Sequence, residues 1–186
     1  MNAIEALHNR VSCPLLEEPG PTQQQLDNMF QAALRSPDHA GLHPWRFLLV
    51  SGEQREQLGE LYLEAALRGN PELSVERQEK TRRMPLRAPT MVVVIARLCE
   101  HPKVPQSEML ISAGCAAQNI LHAAHAQGIG AMWRTGELAY DAHVKSGLGL
   151  TDSEEIVGYI YLGTPARIRK VPQLEQDDYV QTWQRS

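Results

Sequence analysis

The sequence predicts an α+β chain, a central mixed β-sheet flanked by helices, and three observations carry that reading. Residues 90–96 read Thr-Met-Val-Val-Val-Ile-Ala, a continuous apolar run rich in β-branched side chains. Such a run needs burial on both faces and therefore marks a central strand. Residues 108–127 form a long alanine-rich helical stretch closed by Gly128. The remaining apolar runs are few and short, and they alternate with helical periodicity, so helices are expected on both sides of a small sheet. A length of 186 residues fits one domain spanning 1–186, or one subunit of a compact oligomer.

Taken in order, residues 1–10 read as a short amphipathic helix, with neither the basic start nor the apolar stretch of a signal peptide. Residues 14–21 are a turn-rich break between two prolines. Thr22 then caps a second helix, with Gln25 completing a capping box. That helix carries Leu26, Met29, Phe30, Ala33 and Leu34 at helical spacing and should stop before Pro37. A polar loop over 38–44 leads to Phe47-Leu48-Leu49-Val50, read as a short buried strand. Ser51 and Gln54 suggest a further capping box for a helix running to about residue 68. Asn70-Pro71 is expected to restart a third helical stretch, with proline at its first position. The small residues of 108–127 (Ala113, Gly114, Ala116, Ala117, Ala123, Ala124 and Ala126) allow close helix packing. Residues 129–133 suggest a short strand, 141–146 a short helix and 156–162 the last core strand. The polar, proline-containing tail over 165–186 cannot fold on itself and should pack on something else, such as a partner subunit.

Composition narrows the function classes. Hydrophobic residues make up 42% and charged residues 22%, which excludes whole-chain disorder. The net charge of −4 argues against a general nucleic-acid binder, which needs a basic field. No stretch approaches 18 consecutive apolar residues, so no membrane-spanning helix is expected. Cys13, Cys99 and Cys115 are odd in number and widely spaced, which suits reduced, buried thiols in a cytoplasmic protein better than disulfides or a zinc site. With Trp 3, Tyr 5 and Phe 2, the chain has few rings on which a flat ligand could stack.

The motif search removes the common nucleotide and nucleophile sites. There is no G-x-G-x-x-G after a strand, no P-loop, no G-x-S-x-G elbow and no H-E-x-x-H. His39 and His43 are four apart beside Asp38, and His122 and His125 are three apart on a helix, but no Cys or Glu stands at ligand spacing, so no metal site is expected. Arg10 and Ser12 close the first helix and Arg35 closes the second. Separately these arginines complement helix dipoles; converging, they would form a pocket for a phosphate monoester, and spacing does not choose between the two. Gln127-Gly128-Ile129-Gly130-Ala131-Met132-Trp133-Arg134-Thr135-Gly136 is a helix end, a glycine turn and a strand. It reads either as a plain connection with a half-buried Trp or as a wall where Trp133 covers a planar ligand.

These blocks, in this order, resemble the nitroreductase family of flavoproteins, most closely its small members. The likeness covers nearly the whole chain. It rests on Arg10-Val11-Ser12, Arg35-Ser36-Pro37-Asp38-His39 with Pro44-Trp45-Arg46-Phe47, and Arg87-Ala88-Pro89 ahead of the central strand. It continues with Ser112-Ala113-Gly114-Cys115-Ala116, with Gln127-Gly128-Ile129-Gly130 and Trp133-Arg134-Thr135-Gly136, and with the closing strand from Ile156 to Pro165. The resemblance implies a nitroreductase-like fold and a cytoplasmic homodimer whose C-terminal tail is exchanged onto the partner. It also implies FMN in clefts at the dimer interface. By the same resemblance the activity would be an oxidoreductase: NADPH or NADH reduces FMN, and a nitro compound, quinone or similar small acceptor then takes the electrons by a ping-pong mechanism. The alternative is a flavin-binding or storage protein with little turnover.

By position, Arg10 and Ser12 would hold the FMN phosphate and ribityl chain, with Val11 contributing main chain. Arg35 and His39 would contact the flavin or phosphate across the dimer cleft. Gln127, Gly128, Trp133, Arg134 and Thr135 would line the other side, and Arg167 and Arg169 of the tail would add cations near the phosphate. No catalytic side chain and no metal is implied. The chain departs from the family pattern at Val11, where a second Arg is usual, and at Leu15, where an Arg is also usual. Each lost charge-assisted hydrogen bond is worth about 1.5–3 kcal/mol. Gly41 and His43 stand where larger members carry an Asn.

Overall fold

The computed structural model describes residues 1–167 and 169–185. Helix α1 (Ala3–Asn9) begins in a reciprocal cap: the Asn2 side chain accepts from the Glu5 N–H, and the Glu5 carboxylate accepts from the Asn2 N–H, both at 2.9 Å. The turn-rich break contains a two-residue strand, β1 (Leu16–Glu17). Helix α2 (Gln23–Ala33) starts at Thr22 with Gln25 closing the expected capping box. Strand β2 (Trp45–Ser51) is followed by α3 (Gln54–Gly69), α4 (Val75–Arg82) and β3 (Thr90–Arg97). The chain continues through α5 (Gln106–Ala126), β4 (Gly130–Arg134), α6 (Glu137–Tyr140) and α7 (Ala142–Gly147) to the long β5 (Glu154–Pro165).

Every strand pairing among the described residues is antiparallel, where a mixed sheet was expected. The physical reason lies in β5. Strands β3 and β4 run the same way and are joined by α5, as in a βαβ unit, but β5 lies between them and is antiparallel to both. The parallel relation therefore never becomes a hydrogen-bonded pair. Strand β3 is central, as the β-branched run required, with its first seven residues buried. Each buried Val or Ile there is worth about 1.5–3 kcal/mol. Strand β2 is less buried than expected because it pairs only with β3 on one side; Leu49 is exposed.

Three local expectations are corrected. Ser51 does not cap α3: it ends β2, and Gln54 accepts from its N–H at 3.2 Å without a reciprocal bond. Asn70-Pro71 forms a turn, and the next helix starts later, at Ser74, whose hydroxyl accepts from the Arg77 N–H. Of the three free thiols only Cys13 is buried; Cys99 is exposed and Cys115 half-buried.

The two faces of the sheet carry separate cores. On one, Val92, Val94, Ile160 and Leu162 meet α2 and the alanines of α5. On the other, Met91, Val93, Tyr159 and Tyr161 meet Leu58 and Tyr62 of α3, with Val144 of α7. Small residues bring helices close on this second face too: a Cβ on Gly59 would run into the backbone carbonyl of Arg82, so α4 sits hard against α3. The sheet is also tied across its strands by Arg46 of β2, which grips the buried Glu154 with two 2.8 Å hydrogen bonds. That grip outweighs the effect of burial and holds the Glu154 carboxyl below its ordinary range. No helix among the described residues is long and apolar enough to cross a membrane.

Candidate functional site

Arg10 is where α1 stops, its backbone turning extended. The segment after it is drawn alongside β4 by a hydrogen bond from the Cys13 N–H to the Ala131 carbonyl at 2.9 Å. The other wall of the site comes from the far end of the chain. Leu16 pairs with Pro165 and Glu17 with Thr164, and the Ala166 N–H donates to the Leu15 carbonyl at 3.2 Å. This register delivers the start of the tail beside residues 10–12. The result is a cleft of about 540 Å³ lined by Arg10, Val11 and Ser12 with Arg167, Arg169, Lys170 and Pro172. Four cations and a hydroxyl converge there, and among the described residues no carboxylate side chain lines it. The ends of α1 and α2 do not converge within one chain: Arg10 and Ser12 meet the tail cations in place of Arg35. Lys170 and Pro172 were missed, although Lys170 follows two tail arginines and could have been read with them.

The field of Arg10 reaches α5. His122 and His125 are both held below the ordinary histidine value, by burial first and by the Arg10 guanidinium second. The Gln118 amide contacts Nε2 of His122 at 2.9 Å; as a donor it requires that nitrogen to be unprotonated. Nε2 of His125 is buried without a hydrogen-bond partner among the described residues. A cation beside two neutral imidazoles suits an incoming anion and repels a metal ion. Among the described residues no group of three His, Cys, Asp or Glu side chains is placed to hold one.

Arg35 and His39 do not line this cleft. Arg35 is exposed just beyond α2, and His39 lies in a single 3-10 turn, His39–Gly41. His39 belongs to a second, smaller cleft of about 190 Å³, lined by Pro37, Asp38, Glu108, Ile111, Ser112 and Cys115 as well. Its Nδ1 is 2.7 Å from a Glu108 carboxylate oxygen. Asp38 shapes the turn by accepting from the Leu42 and His43 N–H groups at 3.1 and 2.8 Å, which offsets left-handed backbone at Ala40 and His43. Glu108 was missed as well; it lies 69 residues from His39, and no sequence pattern links the two.

The third group divides. Trp133 is half-buried against α5, packed over Gly114 and Gly158, and its indole N–H points to the Val157 carbonyl at 3.4 Å. A Cβ on Gly158 would collide with the indole, so that glycine makes room for it. Arg134 turns to the opposite face of the sheet, 5.7 Å from the ring centre of Tyr161. Side chains alternate along a strand, so the side chains of these two neighbours cannot share one wall. The Gln127 amide is occupied: its oxygen accepts from Asn28 at 2.8 Å, and its nitrogen donates to the Ala123 and Gln25 carbonyls. This ties α2 to α5. Gly128 takes φ +77° at the end of α5, and Thr135 is exposed.

Comparison with known proteins agrees with this architecture. The Nitroreductase family model matches residues 8–164. The chain is 40% identical over 166 residues, 89% of each chain, to the Escherichia coli (strain K12) protein named "Putative NAD(P)H nitroreductase YdjA". A crystal structure of a nitroreductase-like family protein from Bacillus cereus superposes with a TM-score of 0.82 at 22% identity, covering 98% of this chain and 96% of that one. The FMN-dependent nitroreductase NfnB from Mycobacterium smegmatis, solved in complex with NADPH, superposes with a TM-score of 0.75 at 16% identity, covering 98% of each. At such identities the structural likeness is one of fold.

Proposed function

The chain belongs to the nitroreductase family, and from that premise we propose that it is a single-domain, cytoplasmic, FMN-dependent oxidoreductase. The observation that carries the reading is the cleft in which Arg10, Ser12, Arg167, Arg169 and Lys170 converge, with no acidic side chain among the described residues of its lining. A phosphate monoester with up to two negative charges fits that donor set, and guanidinium groups match its oxygens in pairs. Ser12 adds a hydroxyl and Val11 its main chain. The tail cations offset the arginines missing at Val11 and Leu15. Trp133, seated against α5, offers a wall for the ring system, to which Gly128, Arg134 and Thr135 contribute backbone.

A homodimer completes the site. Within one chain His39 lies in a different cleft from Arg10 and Arg35 is exposed just beyond α2, so both are available to the flavin of a partner. The tail leaves Leu174, Tyr179 and Trp183 exposed at 70, 69 and 81%, and these side chains suit burial on that partner. When bound, FMN supplies two-electron transfer from NADPH or NADH to a nitro compound, quinone or similar small acceptor, the two substrates using the same place in turn. The residues of this chain bind the phosphate, orient the ring and keep water from one face of it.

The purified protein is expected to be yellow with a flavin absorption spectrum, dimeric in solution, and bleached anaerobically by NADPH or NADH. A colourless protein that FMN does not reconstitute would overturn the proposal. A flavin that binds but is not reduced would turn it to a storage role.

A further inference from the structure

The segment following α2 is held along one stripe of α5. Asn119 donates to the Ala32 carbonyl and to the Ser36 hydroxyl, both at 3.1 Å, and Ser112 donates to the Pro37 carbonyl at 2.6 Å. Glu108 ends the stripe on Nδ1 of His39 at 2.7 Å. Positions 108, 112 and 119 share a helix face, so the register of α5 sets where this segment lies. The His39 and Glu108 side chains are 55 and 46% exposed, and an ion pair that open to water contributes little to stability. What it does determine is the imidazole. A carboxylate only accepts, so in the neutral ring the Nδ1 facing it must carry the proton, and Nε2 is left as an acceptor.

We propose that Glu108 is a positioning residue that fixes His39 as the Nδ1–H tautomer. The imidazole then offers Nε2 to a hydroxyl or N–H of the bound ligand rather than to a phosphate. The inference deepens the proposed function and rests on it for the identity of the ligand: the acceptor faces the ribityl hydroxyls or a ring N–H of FMN. A phosphate would require a donor there, and in this chain the donors are gathered instead around Arg10.

The test has a spectroscopic arm and a binding arm. In the full-length protein without flavin, at a pH where His39 is neutral, ¹⁵N shifts should report Nδ1–H for His39. Glu108→Ala should release the ring toward the Nε2–H form, and Glu108→Gln, which keeps an accepting oxygen, should restore Nδ1–H. An unchanged tautomer in Glu108→Ala overturns the positioning role whether or not FMN binds. In the binding arm, Glu108→Ala should weaken both FMN and riboflavin about threefold to tenfold, the size of one neutral hydrogen bond. It should add nothing in a His39→Ala background. A loss confined to FMN would place His39 on the phosphate and overturn the acceptor role. If His39→Ala leaves flavin affinity intact while Glu108→Ala still switches the tautomer, the flavin contact fails and the positioning stands.

Discussion

The two faces of the sheet are filled with different materials. Against α2 and α5 the filling is mostly alanine and short aliphatic side chains, which brings the α5 backbone close to the strands. Against α3 and α7 three tyrosines stand among the aliphatic side chains: Tyr62 and Tyr159 meet edge to face at 5.6 Å, and Tyr161 lies beside them. The alanine face spares the outer positions of α5 for other work, so Glu108, Ser112 and Asn119 hold a segment, and His122 and His125 stand near Arg10. The tyrosine face is closed by bulk. Burial pushes the Tyr159 hydroxyl up to about 12 and Tyr62 higher still, with the Tyr159 hydroxyl adding to the effect on Tyr62. Such groups stay neutral and take no part in proton traffic. The comparison teaches that one face of a small sheet can carry the chemistry while the other carries stability.

The largest test of that division is Tyr62→Ala. This side chain is 1% exposed, and truncating a buried aromatic costs about 3–5 kcal/mol. Denaturant melts should show that loss, while the fraction that remains folded should bind FMN as before; weakened flavin binding would break the division. Tyr62→Phe sharpens it, because the Tyr62 hydroxyl is buried without a hydrogen-bond partner among the described residues, and removing it should leave stability level or raised.

On the other face, Arg10→Ala should do the reverse. FMN affinity is expected to fall about tenfold to a hundredfold, from the loss of one charge-assisted contact of about 1.5–3 kcal/mol. The melting temperature of the apoprotein should barely move, since the side chain is only half-buried. Fluorescence titration and a thermal melt read the two quantities separately, and unchanged affinity would show that the cationic cleft is not the phosphate site.

The smallest effect is in the pH dependence. His122 and His125 bind protons less readily folded than unfolded, so the unfolded chain takes up more of them below about pH 6.5, the ordinary value. Their contribution to stability is full above that pH and declines as pH falls toward their lowered folded values. Inorganic phosphate beside Arg10 should offset part of the repulsion and make the decline shallower. Melting temperatures across that range, with and without phosphate, check it, and an identical slope in both would place Arg10 and the imidazoles out of reach of the anion.

Much of the fold was legible because its signals are local. The Thr22–Gln25 box, the β-branched run of β3 and the glycine closing α5 each act within a few residues. What was misread was also local but ambiguous: Ser51 has the right spacing for a cap yet ends a strand, and Asn70-Pro71 makes a turn before Ser74 takes the cap. The site was legible in part. Arg10, Ser12 and the tail arginines carry chemistry visible in their residue types, whereas the Gln127 amide turned out to tie two helices together.

Local periodicity, caps and residue chemistry thus belong to the sequence itself: the helices, the central strand, and a set of arginines suited to an anion. Three matters were decided only by tertiary structure. The pairing of β1 with the end of β5 brings Arg167, Arg169 and Lys170 beside Arg10. The pleat of β4 separates Trp133 from Arg134, and the register of α5 joins Glu108 to His39. The first and third depend on contacts between segments far apart in the chain, where no short-range pattern records the partner, and the second on the pairing with β5 that holds 130–134 as a strand.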